Sequence, residues 1–281
     1  MSQVERRADY TDAPSMSTMA LRETVGQNWP LVVGHRGASA DHPENTLESF
    51  EGAIGAGADL IELDVRLSAD GVPVIMHDAE VSQTTDGSGF IHQLTLQDLK
   101  RLDASAGKGG ARTEIPTLRE ALEMLSGRAG VDVEIKNMPG EPAFDSPREE
   151  IARCVVALLD DVAFDGAVLV SSFNWLSIER VRELDPGIPT GFLSTSLMDP
   201  RACLVYVRSA GHEFVLPQAP AVFEAGPAFV EEAHRDGVCV GTWTLDDPDG
   251  IERLFAMGVD AIATNRPDVA VAVRDRLATG S

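Results

Sequence analysis

The 281-residue chain is long enough for two small domains or for one α/β barrel. Its 23 Lys+Arg against 45 Asp+Glu leave a formal net charge of −22, a surface that repels a phosphate backbone and excludes general nucleic-acid binding. Hydrophobic residues at 43% with only 24% charged exclude disorder of the whole chain.

Arg6 and Arg7 open a polar stretch with no apolar h-region behind them, so no secretory signal is expected, and residues 1 to about 28 read as a flexible extension. From Leu31 onward, short β-rich apolar runs alternate with longer segments of helical period. The expected strands are Leu31 to Gly34, Leu60 to Val65, Val131 to Ile135, Val168 to Ser171, Thr190 to Leu193, Glu213 to Leu216, Val238 to Trp243 and Ala261 to Thr264. Helical period falls between them, over Thr46 to Gly55, Thr117 to Leu125, Pro147 to Leu159, Trp175 to Leu184, Pro200 to Ser209, Pro227 to Arg235, Pro248 to Met257 and Pro267 to Leu277. Asp199-Pro200 and Asp247-Pro248 are helix starts, and Gly211, Gly237 and Gly258 are helix stops. Such an ordered alternation predicts an α/β fold, a (β/α)8 TIM barrel spanning 29–281 as one domain.

One stretch breaks the alternation. After the second strand, Ala69-Asp70-Gly71 turns the chain into a further β run, Val72 to Met76, and a glycine-rich segment follows. Residues of about 67–114 are therefore expected to form a small insertion in the loop after strand two, on the face where barrel enzymes carry their chemistry. The run Gly107 to Gly110 lacks Walker spacing and reads as a mobile loop.

Lysine occurs only at Lys100, Lys108 and Lys136, so a lysine at a strand end stands out. Cys154, Cys203 and Cys239 are odd in number and widely spaced, as buried free thiols in a reducing compartment would be. No apolar run approaches the ~20 residues of a membrane span, and a soluble, cytoplasmic protein is expected.

Polar residues sit where barrel strands end. His35 and Arg36 follow strand one, Glu62 and Asp64 lie in strand two, His77 ends the hairpin, and Glu134 and Lys136 end strand three. Residues two apart share a strand face, so with Ile61, Leu63 and Val65 opposite them, Glu62 and Asp64 should point into the barrel. Carboxylates buried there need a cation, and a set without Cys favours hard Ca²⁺ or Mg²⁺ over zinc. Arg36 and Lys136 suit an anionic oxygen, and two histidines can divide acid and base work, a combination that fits phosphodiester cleavage. His42, His92, His212 and His234 lack such a pattern and are assigned surface or packing roles. Asp246, Asp247 and Asp249 are better explained by helix capping than by a calcium loop.

Gly34-His35-Arg36-Gly37, Pro43-Glu44-Asn45-Thr46, Glu62-Leu63-Asp64-Val65, Asp70-Gly71 and Val74-Ile75-Met76-His77-Asp78 strongly resemble the glycerophosphodiester phosphodiesterase family. Later echoes are Ile115-Pro116-Thr117-Leu118, Glu134-Ile135-Lys136, Ser172-Phe173, Trp243 and Thr264-Asn265-Arg266-Pro267, so the resemblance covers about residues 31 to 270. It implies a metal-dependent TIM-barrel hydrolase of lipid and glycerol metabolism that converts glycerophosphodiesters to an alcohol and glycerol 3-phosphate. By the same resemblance, His35 and His77 are the acid/base pair, and Glu62, Asp64 and Glu134 ligate one divalent cation, Ca²⁺ or Mg²⁺, with Mn²⁺ also admissible. Arg36 and Lys136 hold the phosphate. Glu44 fixes the loop carrying His35 or assists at the metal, while Phe173 and Trp243 line the mouth.

Gln83 stands where an Arg is common before paired threonines, here Thr84-Thr85, and Asn265 stands where Asp often follows Thr; neither is expected to touch the catalytic set. Competing readings are a lysophospholipase D or phospholipase-like barrel acting on lipid phosphodiesters, disfavoured at anionic membranes by the acidic charge, and a non-catalytic phosphodiester-binding barrel. The expected partner is a small glycerophosphodiester, with no nucleic acid and no stable membrane anchor, and a homo-oligomer is left open.

Overall fold

A computed structural model describes residues 29–105 and 111–279. The expected extension over 1–28 and most of the glycine-rich run, 106–110, lie outside the described residues.

The apolar runs become β1 (Leu31–His35), β2 (Leu60–Leu67), β4 (Gly130–Ile135), β5 (Val168–Ser172), β6 (Thr190–Ser194), β7 (Phe214–Pro217), β8 (Cys239–Thr242) and β9 (Ala261–Thr264). All pair in parallel in the order β1-β9-β8-β7-β6-β5-β4-β2, and a β1–β2 pairing closes the ring. The fold is a (β/α)8 TIM barrel. Between the strands run α1 (Leu47–Gly55), α3 (Leu118–Leu125), α4 (Glu150–Asp161), α5 (Trp175–Leu184), α6 (Pro200–Ala210), α8 (Pro227–Arg235), α9 (Pro248–Ala256) and α10 (Pro267–Thr279). A short helix, α7 (Ala219–Ala225), precedes α8; it was not expected, being one short segment without a visible period.

Strand alternation sorts the core. Leu31, Val33, Leu60, Leu169, Leu193, Phe214 and Leu216 pack inside the barrel, while Val32, Val240 and Ile262 on the alternate face pack against helices. On β2 and β4, Ile61, Leu63, Val65, Val131, Val133 and Ile135 take the helix side, leaving the intervening acids to face inward. Each fully buried aliphatic side chain here is worth about 2–5 kcal/mol against truncation to Ala.

The excursion after β2 is an antiparallel strand, β3 (Pro73–Ile75), paired Val65↔Ile75 and Leu67↔Pro73, followed by two single 3₁₀ turns and the one-turn helix α2 (Leu96–Leu99). It carries its own small core of Val74, Met76, Val81, Ile91, Leu99 and Ile115. The Met76 N–H donates to the Asp64 carbonyl at 2.9 Å, which pins the end of the hairpin over β2. No described helix is long and apolar enough to cross a membrane.

Candidate active site

The chain leaves β1 through Arg36 and Gly37, both in the left-handed region at φ 55° and 86°. A Cβ at Gly37 would stand 2.4 Å from Ser49 Oγ, so glycine is required there by space as well as by backbone angle. This turn brings the Arg36 N–H to Glu62 Oε2 at 2.8 Å, its guanidinium to Glu44 Oε1 at 2.9 Å, and its Nε to within 3.3 Å of Asp64 Oδ2. Asn45, also left-handed at φ 58°, clamps the same strand: its Nδ2 donates to Asp64 Oδ2 at 2.7 Å, and its Oδ1 accepts the Asp64 N–H at 3.2 Å. Thr46 then caps α1.

The β2–β4 register sets Glu62 beside Asp132 and Asp64 beside Glu134. Carboxylate oxygens of Glu62, Asp64 and Glu134 lie within 4.8 Å of one another, and all three residues are buried. Lys136 Nζ donates to Glu134 Oε1 at 2.6 Å and lies 3.2 Å from Asp64 Oδ1. Glu62 Oε1 and Asp64 Oδ1 are buried without a hydrogen-bond partner. Glu62 Oε1, buried without a partner, and Asp64 Oδ1, met only by the Lys136 ion pair, belong to a set made wholly of oxygen donors that fits a hard divalent cation, and the cluster can hold one.

The electrostatics match that reading. Burial, reinforced by Asp64 and Glu134, pushes the Glu62 carboxyl well above the usual range. Burial likewise raises Glu134 to about 7, an effect that Lys136 only partly offsets. For Asp64, burial works against the charge, but Lys136 and Arg36 outweigh it and hold the carboxyl below its ordinary range. The cluster is short of positive charge in the state described, as an acidic cation site would be.

Both histidines reach one pocket at the C-terminal end of the barrel. His35, lowered to about 4 by burial and then by Arg36, sets Nδ1 2.8 Å from Asn265 Oδ1. His77 sets Nδ1 2.7 Å from Asp78 Oδ1; burial lowers it too, against the pull of Asp64. Its backbone is held by Arg66, whose Nε donates to the His77 carbonyl at 2.8 Å and whose guanidinium is gripped twice by Glu141, at 2.5 and 3.1 Å. Polar residues His35, Arg36, Glu62, His77, Glu134 and Lys136 line one side of the pocket. The other is apolar, with Leu169, Leu193 and Leu216 below Phe173 and Trp243, whose rings meet edge to face at 5.4 Å. Trp243 is fixed by its Nε1, which donates to the Leu216 carbonyl at 2.9 Å. Asp64 and Glu44 do not line this pocket: the first is wholly buried, and the second stands outside it, paired with Arg36.

Two expectations change. Asn265 was placed away from the catalytic set, but closing β9 against β1 sets its amide directly on His35. Asp246 was read as a capping residue; only Asp247 caps α9, whereas Asp246 accepts from Thr264 Oγ1 and from both Asn265 donors. Sequence reasoning also missed Asp132, an inward acid on β4 that accepts from Ser171 Oγ at 2.8 Å and is raised to about 7 by burial. Its even spacing from Glu134 was the available signal. Among the remaining histidines, His212 is buried between Thr190 and Tyr206, and His42 and His234 contact Glu48 and Asp260. Cys203 and Cys239 are buried and Cys154 is half-buried, all as free thiols.

Residues 35–269 match the family described as Glycerophosphoryl diester phosphodiesterase family. The chain belongs to that family. A glycerophosphodiester phosphodiesterase of Caldanaerobacter subterraneus is 34% identical over 245 residues, covering 86% of this chain and 96% of that protein. A phosphodiesterase of Oleispira antarctica, solved in complex with the product sn-glycerol-3-phosphate, is 31% identical, covers 88% of this chain and 97% of that one, and superposes with a TM-score of 0.78. A crystal structure of a putative glycerophosphoryl diester phosphodiesterase from Silicibacter pomeroyi is 27% identical with a TM-score of 0.81, covering 92% of this chain and 98% of that one.

Proposed function

We propose that this glycerophosphodiester phosphodiesterase family member hydrolyses soluble glycerophosphodiesters, releasing an alcohol and glycerol 3-phosphate, with His35 and His77 as the acid/base pair and one divalent cation at Glu62, Asp64 and Glu134. The observation that carries the reading is the pocket itself, where two histidines and two cationic side chains surround a buried carboxylate cluster in which Glu62 Oε1 is left without a partner. The product-bound Oleispira relative supports the substrate class.

Arg36 and Lys136 attract the diester anion and hold its phosphoryl oxygens, their charge undiminished because buried carboxylates raise both groups against desolvation. When bound, the cation polarises the phosphoryl group and offsets charge that develops on it. One histidine takes the proton of the attacking hydroxyl, from water or from the glycerol 2-hydroxyl, and the other delivers a proton to the departing alcohol oxygen. His77, lowered by burial but with Nδ1 held by the Asp78 carboxylate, which offsets part of that loss, is assigned donation; His35, on a neutral amide, is assigned acceptance. Phe173 and Trp243 give the carbon skeleton an apolar wall that keeps water to the polar side.

A second reading, action on lysolipid diesters, draws on exposed apolar side chains that follow the barrel strands: Phe144, Leu197 and Met198 on loops and Trp175 at the start of α5. The test is a coupled assay for glycerol 3-phosphate over a panel of headgroup diesters and micellar lysolipid with Ca²⁺, Mg²⁺ or Mn²⁺. Faster release from glycerophosphocholine or glycerophosphoethanolamine supports the first reading, and faster turnover of lysolipid supports the second. Binding by calorimetry without turnover under every metal would instead make the barrel a non-catalytic binder.

A further inference from the structure

Asn265 follows β9, beside the end of β1, and its side chain is the hub of a small network reaching from the loop after β8 to the pocket. Asp246 Oδ1 accepts the Asn265 N–H at 2.7 Å and the Thr264 hydroxyl at 2.8 Å, and Asp246 Oδ2 accepts from Asn265 Nδ2 at 2.8 Å. On its other side, Asn265 Oδ1 lies 2.8 Å from both His35 Nδ1 and Ser39 Oγ. Ionised carboxylates only accept hydrogen bonds, so the amide must turn its NH₂ to Asp246 and its oxygen to His35. An amide oxygen also only accepts, so the proton of the neutral ring must reside on Nδ1. Nε2 is then the lone-pair nitrogen, in a ring that lines the pocket.

We infer that Asp246 and Asn265 are positioning residues that hold His35 in its Nδ1–H tautomer, leaving Nε2 as the proton acceptor of the site. A carboxylate at position 265 would accept the same hydrogen bond but would also stabilise the imidazolium. The amide orients the ring without recruiting the charge, and Asp246 supplies the charge one step removed, where it fixes the amide rather than the imidazole. The role in turnover rests on the proposed phosphodiesterase reading; the tautomer does not.

The experiment is a long-range ¹H–¹⁵N correlation spectrum of the full chain labelled at histidine, at neutral pH, with the His35 signals assigned by their loss in His35→Ala. The expected spectrum shows a protonated Nδ1 and an unprotonated Nε2. Asn265→Ala should blur this into a mixture of tautomers and lower kcat on the best diester by about tenfold to a hundredfold, with KM little changed. Asp246→Asn, which removes the carboxylate that fixes the amide, should blur the spectrum in the same way. Asn265→Asp keeps an acceptor toward His35 but sets a second carboxylate against Asp246 in place of the amide donor, so relative to Asn265→Ala it should recover only part of kcat. A wild-type ring protonated on Nε2, or an unchanged His35 signature in Asn265→Ala, overturns the inference. If Asn265→Ala does not fold, the wild-type spectrum still decides. A chain that carries the expected tautomer yet cleaves no diester would leave this inference standing and sink the functional reading instead.

Discussion

Replacing Glu134 with Gln should stabilise the metal-free protein and destabilise the cation-loaded one, and the two effects can be separated by pH. Burial raises Glu134 to about 7, whereas the unfolded chain titrates it near 4.5. The folded state therefore holds the proton more tightly than the unfolded chain, so this carboxyl costs stability as pH rises through the unfolded value, and the full cost is in place above about 7. The penalty is about 1 kcal/mol at pH 5 and about 3 kcal/mol at pH 8. Gln imitates the protonated carboxyl and escapes it. For a chain of this size, 1 kcal/mol moves Tm by about 2–4 °C, so in EDTA the variant should melt about 6–12 °C above the parent at pH 8 and only a few degrees above it at pH 5. With a saturating divalent cation at pH 8 the order should reverse, because Gln removes the ligand charge that the ion repays. Comparing variant with parent also cancels the opposite pH dependence of His35 and His212. Both are lowered to about 4 by burial, so their neutral forms lose stability as pH falls below 6.5. A variant less stable than the parent in EDTA at pH 8, or a cation that raises both melting curves equally, would refute the reasoning.

His35→Ala and His77→Ala should each lower kcat by about 10²–10⁴-fold in the glycerol 3-phosphate assay, with melting temperatures near that of the parent. Retained activity in either variant would remove that residue from the proton-transfer pair. Trp243→Ala opens the apolar wall and frees Phe173, so kcat/KM should drop about tenfold, chiefly through KM; a loss confined to kcat would place the indole elsewhere in the mechanism. Gly37→Ala must fit a Cβ against Ser49 at a positive φ and should cost about 2 kcal/mol or more of stability in denaturant unfolding, together with activity, because the same turn aims Arg36.

The barrel was legible because its strands obey period two and its helices announce their ends. Thr46, Thr117, Asp199 and Asp247 cap helices where the sequence places their starts. The inward acids were legible for the same reason: between Ile61, Leu63 and Val65 there is nowhere else for Glu62 and Asp64 to point. What stayed hidden depends on contacts between distant parts of the chain. The His35–Asn265 bond joins residues 230 apart and exists only when the ring closes. Asn45, a motif residue without an evident task, acquires one through a left-handed backbone and a neighbouring strand. The Arg66 grip on the His77 backbone needs Glu141 from the next βα loop, which no spacing encodes. Asp132 was within reach, since it shares the parity of Glu134.

The most direct test of the central claim is a ³¹P NMR time course of glycerophosphoethanolamine with the cation-loaded protein, beside the same protein in EDTA. The account predicts that the diester signal is replaced by glycerol 3-phosphate in the loaded sample and persists under chelation. Phosphoethanolamine as the product, no conversion with any of the three cations, or equal conversion in EDTA would contradict it.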